Sequence, residues 1–232
     1  MKHSSIILPL ALLLSAAPLA AQENRDGVLF FGGSAGDGVS AYAGGLVSLP
    51  GARLGQGFAL RGSANAGRYK YQQGVATVEA DYVGAEAALV YQTSAPWGWA
   101  NFSAGPRLTD TSLSPRDPAN ERSGTRVDAV IGAEGNYRTG GWSLGWYGNA
   151  GLFDETYYTQ LRAGHRIDSA GRAFLGIEGG FQGDPSYDSR NIGLFYARDF
   201  SDAWNVQLSG GIRDQEGRKV KPYAAIGLSR LF

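Results

Sequence analysis

The chain has 232 residues, and its 21 Lys and Arg balance 21 Asp and Glu, so the formal net charge is zero. A neutral chain lacks the basic face with which nucleic-acid binders displace counterions, so we expect no nucleic-acid partner. Cys is absent and His occurs twice, which excludes disulfide scaffolds and makes Cys- or His-rich metal centres hard to build. We therefore expect no cofactor and no metal. The 35 Gly and the 12% aromatic residues are compatible with an all-β chain.

Residues 1–21 predict a secretory signal peptide. A short basic start precedes an apolar run over residues 6–14, and Ala20-Ala21 precede polar Gln22, so we expect cleavage after Ala21. The apolar run is shorter than the roughly 20 residues that a membrane-spanning helix needs. The sequence therefore predicts an exported chain whose mature part, residues 22–232, forms a single domain.

From residue 27 onward, apolar residues alternate with polar or small ones, as over residues 127–137 and 204–213. Such runs match the roughly 9–11 residues of a tilted transmembrane strand. Periodicity alone fits both a soluble sandwich and a membrane barrel. The signal peptide, the strand length and the glycine content favour an antiparallel, up-and-down transmembrane β-barrel of the outer-membrane type. Turn signals divide it into about twelve strands, near residues 27–35, 39–48, 57–69, 75–92, 98–109, 124–138, 141–153, 156–167, 172–182, 189–200, 203–213 and 219–232.

The links between these strands alternate in length. Tight turns are predicted at 139–140, 168–171 and 201–202, and larger links at 68–74, 110–123, 183–188 and 214–218, whereas residues 50–56 form a long link on the tight-turn side. Short periplasmic turns facing longer outer loops are typical of outer-membrane barrels, so we place both termini in the periplasm, in an outer membrane of a Gram-negative bacterium.

Aromatic residues flank the tight-turn side, where a barrel carries an aromatic girdle in contact with lipid headgroups. They are Tyr91, Trp97, Tyr137, Trp142, Phe200, Trp204 and Phe232. A terminal aromatic residue on an apolar strand face, here Phe232, resembles the signal that the barrel-insertion machinery reads.

The polar strand faces carry charged side chains near their middle, which predicts a ladder of Arg–carboxylate pairs inside the barrel. Its expected members are Arg61, Glu86, Arg107, Arg126, Asp128, Glu134, Arg162, Arg172, Glu178 and Arg213. Twelve strands enclose a space between that of a side-chain-filled eight-stranded barrel and that of an aqueous porin. Few aromatic residues, such as Tyr147 and Phe174, are expected inside, so the lumen is not expected to carry a polymer.

Two polar segments are candidates for contact with a polymer or a protein partner. Arg116 and Asp117 belong to the longest polar loop, and Tyr187 follows Asp184-Pro185-Ser186. Capping of the barrel and ordinary turn chemistry explain the same residues equally well.

No catalytic constellation stands out, so we expect no enzyme. His165, the sole histidine after cleavage, lies on an apolar strand face, whereas an outer-membrane lipid hydrolase needs a histidine beside a serine. Glu86, Glu134 and Glu178 have arginines available as partners, which favours ion pairs over a glycosidase pair. A small general pore and, with less support, such a hydrolase remain the alternatives.

Two segments carry a resemblance to a known family. Residues 104–118, with Ala-Gly-Pro-Arg and Leu-Ser-Pro-Arg-Asp-Pro, form one half, and residues 176–193 with Ser209-Gly210-Gly211 form the other. Together they resemble the cellulose biosynthesis protein BcsS family. The resemblance implies an envelope protein encoded with bacterial cellulose synthase, with cellulose or its secretion complex as partner, and it implies no active site.

Overall fold

The computed structural model describes residues 25–232 except 74, 75, 119, 121, 186, 216 and 217, and only the backbone of Tyr187. This part of the chain forms twelve β-strands, and within it no helix is long and apolar enough to cross a membrane. The strands are β1 (Gly27–Ala35), β2 (Gly38–Ser48), β3 (Gly57–Gln73), β4 (Ala76–Ala95), β5 (Gly98–Ser114), β6 (Gly124–Thr139), β7 (Trp142–Gly151), β8 (Tyr157–Arg166), β9 (Ala173–Asp184), β10 (Tyr187–Asp199), β11 (Trp204–Gln215) and β12 (Lys221–Leu231). The predicted all-β fold and its strand number are confirmed.

The sheet closes on itself as an antiparallel barrel. Each strand pairs with its neighbours in sequence, and β1 pairs with β12 in a register that joins Val28 to Leu231. The last residue completes this seam, because the carbonyl of Phe232 accepts hydrogen bonds from the amides of Asp26 (2.8 Å) and Gly27 (3.2 Å). Closure leaves no free sheet edge, which is the condition for β-structure to lie in lipid.

The two ends of the barrel differ in their links. The terminal end holds both ends of the described chain and the links 49–56, 96–97, 140–141, 167–172 and 200–203, whereas the loop end holds the links 36–37, 74–75, 115–123, 152–156, 185–186 and 216–220. The larger links predicted at 68–74 and 183–188 are wrong. In both places the strands continue, β3 to Gln73 and β9 to Asp184, because the polar residues there alternate between the two faces of a longer strand.

Every strand turns large apolar side chains away from the barrel. Val127 and Leu161, for example, are 66% and 65% exposed. The seven aromatic residues predicted as a girdle are all exposed at the terminal end. Phe58 joins them, with its ring edge-on to Tyr91 at a centroid distance of 5.4 Å. A sandwich would bury these side chains, so the outward apolar belt identifies a lipid-facing wall.

Strands β3, β4 and β5 have 17, 20 and 17 residues and extend beyond their neighbours at the loop end. Their extended part reverses the polarity of the wall. Its outer face carries ion pairs, with Arg68 2.6 Å from Asp81 and Lys70 2.8 Å from Glu79. Its inner face carries a buried cluster of Tyr69, Tyr71, Val78, Ala80 and Tyr82. An antiparallel sheet in water has an apolar inner face and a charged outer face. We therefore place this extension outside the lipid.

Glycines on the inner wall allow aromatic rings to lie flat against it. Tyr82 lies over Gly67, its cross-strand partner, and a Cβ at Gly67 would come within 2.5 Å of the tyrosine hydroxyl. Tyr42 likewise lies over its partner Gly32 and Phe30 over its partner Gly44, whereas Phe195 reaches Gly164 and Tyr223 reaches Gly193 two strands away. Pairing an aromatic ring with a glycine covers exposed backbone and keeps the ring from crossing the lumen.

This packing predicts the effect of one methyl group. Gly67→Ala should destabilise the barrel by about 1–3 kcal/mol, because the ring of Tyr82 has to lift away from the wall. Gly62→Ala is the matched control, since Gly62 lies on the same strand, faces outward and has open space where its Cβ would lie. Urea unfolding in phospholipid vesicles, followed by tryptophan fluorescence, measures both changes. Equal effects of the two substitutions would contradict the flat-ring packing.

Candidate functional site

The inner wall gathers most of the predicted charged ladder into two clusters. In the first, on β3–β6, a guanidinium nitrogen of Arg61 lies 2.9 Å from one carboxylate oxygen of Glu86. A guanidinium nitrogen of Arg107 lies 2.8 Å from the other oxygen. Arg61 also donates to the hydroxyl of Ser103 (3.0 Å) and lies 3.7 Å from Glu134. Each carboxylate thus has an arginine partner, as burial of charge requires.

The second cluster lies on β8–β12. Arg162 and Glu178 are direct cross-strand partners, with Nη2 and Oε2 2.8 Å apart and side chains only 4% and 0% exposed. The hydroxyl of Tyr223 donates to the other carboxylate oxygen at 2.6 Å. The guanidinium of Arg162 donates to Gln207 and lies 5.4 Å from the ring centre of Phe195. Both members of this pair are therefore buried in contact with each other and with polar and aromatic neighbours.

Two tyrosines connect the clusters. Tyr147 is the cross-strand partner of Glu134, and its ring meets Tyr158 edge-on at a centroid distance of 5.7 Å. Tyr158 is 1% exposed and Gln160, the next inward residue on β8, is fully buried. Side chains therefore fill the middle of the lumen from β3 round to β12.

Three other predicted ladder residues lie inside but closer to the loop end. Arg126 bonds Asp154, and Asp128 accepts the amide of Phe153 at 2.9 Å, so both hold the link 152–156. Arg213 is 7% exposed and its guanidinium lies over the ring of Tyr223 at 5.5 Å.

The prediction that Arg172 belongs to the ladder is wrong. Arg172 has the alternation of an inward residue, but it precedes β9 and lies in the link 167–172. Its side chain is 48% exposed and pairs with Asp202 at 3.0 Å, in the link 200–203. Alternation alone does not identify the residue at which a strand begins.

The expectation of few aromatic residues inside is also wrong. The inner wall carries Phe30, Tyr42, Tyr69, Tyr71, Tyr82, Trp99, Tyr147, Tyr158, Phe174, Phe195 and Tyr223. The available signal was the set of small residues on the same face, since a ring needs an opposing glycine to lie flat. Aromatic residues alone therefore give no argument against a saccharide inside the barrel.

The link 115–123 folds over the loop end of the lumen. Asp117, a predicted candidate for contact with a polymer or partner, is 3% exposed and is therefore not at the surface. Its carboxylate accepts hydrogen bonds from Tyr71 (2.7 Å) and Gln73 (2.6 Å), and Asn120 donates to the same Tyr71 hydroxyl at 2.8 Å. Burial raises the pKa of Tyr71 to about 12; the bond from Asn120 opposes this rise and the bond to Asp117 adds to it. Tyr71 therefore stays protonated and donates to Asp117.

The same link reaches the opposite wall. Arg122 lies 3.2 Å from the carboxylate of Asp184 at the end of β9, and donates to the carbonyl of Asp154 at 3.3 Å. Strands β3 and β9 lie on opposite sides of the barrel. The bonds of Asp117 and Arg122 thus stretch this link across the mouth.

The terminal end is closed on one side by the link 49–56. Leu54 packs against inward-facing Val28, Leu46, Ala59 and Val90. The amide of Gly55 donates to the side chain of Gln92 at 3.2 Å. This link is longer than an ordinary turn because it folds back onto the inner wall.

The remaining candidates lie apart from the lumen. Arg116 is exposed on the link 115–123, the side chain of Tyr187 lies outside the described residues, and Phe232 is 41% exposed at the terminal end. His165 faces outward, edge-on to Trp142 at a centroid distance of 5.0 Å, and not toward a lumenal serine. Within the described ranges, no group of three or more His, Asp or Glu is placed to hold a metal ion.

The buried pair predicts a sharp stability difference. Arg162→Gln leaves the carboxylate of Glu178 buried without its cation, which should cost about 3–5 kcal/mol. Arg190→Gln is the control, because Arg190 and Asp214 form an exposed pair (71% and 39%) whose loss should cost about 0–1 kcal/mol. Urea unfolding in vesicles gives both values. A loss at Arg162 no larger than that at Arg190 would show that the pair is hydrated.

Solved structures share this architecture at very low sequence identity. A TodX monoaromatic hydrocarbon channel mutant aligns with a TM-score of 0.54 and 9% identity over 94% of each chain. The β-domain of the Bordetella autotransporter BrkA aligns with a TM-score of 0.52 and 13% identity, over 90% of this chain and 100% of the BrkA chain. The translocator domain of NalP from Neisseria meningitidis aligns with a TM-score of 0.51 and 13% identity, over 90% of this chain and 89% of the NalP chain. These likenesses show the fold, that of outer-membrane barrels.

Sequence comparison with curated proteins finds no match. The family model of cellulose biosynthesis protein BcsS, in contrast, matches residues 28–232, from β1 to the last residue of the chain. The match includes every strand of the barrel and both segments whose residues resemble the family. The chain therefore belongs to the BcsS family of cellulose biosynthesis proteins.

Proposed function

We propose that this protein is a non-catalytic accessory barrel of cellulose biosynthesis, and that it acts through its loop end without conducting the glucan chain. The observation that carries the proposal is the filled lumen. Ion pairs occupy its middle, the link 115–123 covers one end and Leu54 occupies part of the other. Family membership supports the role in cellulose biosynthesis.

The energetics favour this role over that of a conduit. A glucan chain could pass only after side chains such as Arg162 and Glu178 had left their partners. Separating such a buried pair costs about 3–5 kcal/mol. The opening would also expose orphaned tyrosine and amide groups. The lumen therefore acts as a rigid filling that holds the wall and its loops in place.

The proposed location is the outer membrane of a Gram-negative bacterium. The apolar outward belt, the aromatic girdle and the barrel neighbours support it. The signal peptide lies outside the described residues and remains part of the proposal, as do the outer-membrane lipid around the belt and recognition of Phe232 by the insertion machinery. In this orientation the loop end faces outward, and we propose that Arg116 and Tyr187 contact cellulose or its secretion complex there.

Cysteine labelling tests this orientation. A single cysteine at Ser114, exposed at the loop end, should react with an impermeant maleimide on intact cells. One at Ser201, exposed in the link 200–203, should react only after the outer membrane has been opened. The chain has no native cysteine to interfere. The reverse pattern would overturn the topology.

Cellulose yield separates the accessory role from a conduit. The double variant Arg162→Ala/Glu178→Ala removes both charges together and so leaves neither one buried and unpaired. It should raise ion conductance in planar bilayers, while cells that carry it should make cellulose at the wild-type level. Arg116→Ala and Tyr187→Ala should lower the yield at unchanged conductance.

Heat-modifiable migration in SDS gels verifies that each variant is folded and inserted. Loss of cellulose in the folded double variant would contradict the accessory role and favour a conduit. A wild-type barrel that already conducts strongly would favour the general pore.

A further inference from the structure

A row of polar residues lines the inner wall in its loop-end half. Tyr158 on β8, Gln182 on β9, Ser189 on β10 and Gln215 on β11 are consecutive cross-strand partners, so they lie side by side across four strands. All four are at most 7% exposed. Hydroxyl and amide groups thus form a continuous polar band inside the barrel.

Arg213 stands beside this band. It lies two residues from Gln215 and pairs with Asn191, which lies two residues from Ser189, so its side chain is a diagonal neighbour of the row. Its guanidinium lies over the ring of Tyr223 at 5.5 Å.

The charge of Arg213 has no carboxylate within 4.0 Å among the described residues. The acidic groups nearest along the wall are engaged elsewhere, because Glu178 pairs with Arg162 and Asp184 pairs with Arg122. A cation that is 7% exposed and has no counter-charge in the described part of the chain is costly unless an anion joins it.

Several polar atoms around Arg213 also lack a hydrogen-bond partner. They are Nε of Arg213 itself, the hydroxyl of Tyr158 and the hydroxyl of Ser189. The great majority of buried polar atoms in native proteins are bonded, so a group of unpaired atoms on β8, β10 and β11 marks a place where something else bonds them.

We propose that this band and Arg213 form a binding site for a saccharide that carries a carboxylate or a phosphate. The guanidinium supplies two parallel donors for the anionic group. The hydroxyls of Tyr158 and Ser189 match sugar hydroxyls, and the side-chain amides of Gln182 and Gln215 continue the polar lining beside them.

Arg122 pairs with Asp184, which lies two residues from Gln182 toward the loop end of β9, so access to the band past this point requires release of that ion pair. The site goes beyond the proposed accessory role, because that role needs no ligand inside the barrel. It also makes the loop end the entry side.

Calorimetric titration of the folded protein in detergent micelles tests the site, with four probes. They are cellotetraose oxidised to carboxylates at C6, neutral cellotetraose, glucose 6-phosphate and inorganic phosphate. An acidic saccharide should bind at least about tenfold more tightly than neutral cellotetraose, since a hydrogen bond to a charged group contributes about 1.5–3 kcal/mol. Arg213→Gln should abolish this difference.

Arg190→Gln, an outward-facing change on the same hairpin, is the matched control and should bind as the wild type does. The variant Arg122→Gln should bind faster with unchanged selectivity. Equal binding of both cellotetraoses, unchanged binding by Arg213→Gln, or no binding by either the wild type or Arg122→Gln would overturn the site. Inorganic phosphate bound as tightly as the saccharides would reduce it to a simple anion site and contradict the saccharide. None of these results bears on cellulose yield, which tests the accessory role separately.

Discussion

Closure of the hydrogen-bond ladder between β1 and β12 is the constraint on which the rest of the structure depends. In lipid no water can satisfy a free strand edge, so the chain must return to its first strand. The last residue takes part directly, through the bonds between Phe232 and the start of β1. Closure after twelve strands also sets the diameter of the interior. Side chains from one side of the barrel are too short to fill that diameter alone. What lies inside follows from that width.

The chain fills this width with two kinds of side chain. Long opposed pairs such as Arg162 and Glu178 meet across neighbouring strands, while aromatic rings lie flat on glycines and line the wall. A buried ion pair is not in itself a strong stabiliser relative to an apolar packing. It does determine which face points inward, because a slip of one residue in register would turn the charges into lipid. The pairs therefore contribute specificity as much as stability.

The sequence predicted the barrel well because alternation and turn residues are local signals. Most strand bounds agree to within two residues, and the aromatic girdle lies where it was expected. The failures arise from the tertiary structure. Arg172 has inward alternation but no strand around it, and Asp117 is in a polar loop that folds inward onto Tyr71. The sequence did not predict the inward aromatic rings, because the residue that accommodates each ring is a glycine on another strand. No local pattern reveals such long-range partners.

The two closures and the middle of the lumen differ in how readily they can open. The link 115–123 is held by polar bonds, Asp117 with Tyr71 and Arg122 with Asp184, at an end of the barrel that meets water. The side chain of Arg122 is 15% exposed, against 4% for Arg162, so water can hydrate the guanidinium of Arg122 more readily as its ion pair separates. The pair of Arg162 and Glu178 lacks this access to water. Contact at the loop end can therefore rearrange the mouth and uncover the polar band beneath it while the middle stays filled. The proposed accessory role requires no more than this, since contact at the loop end need not open the middle of the barrel.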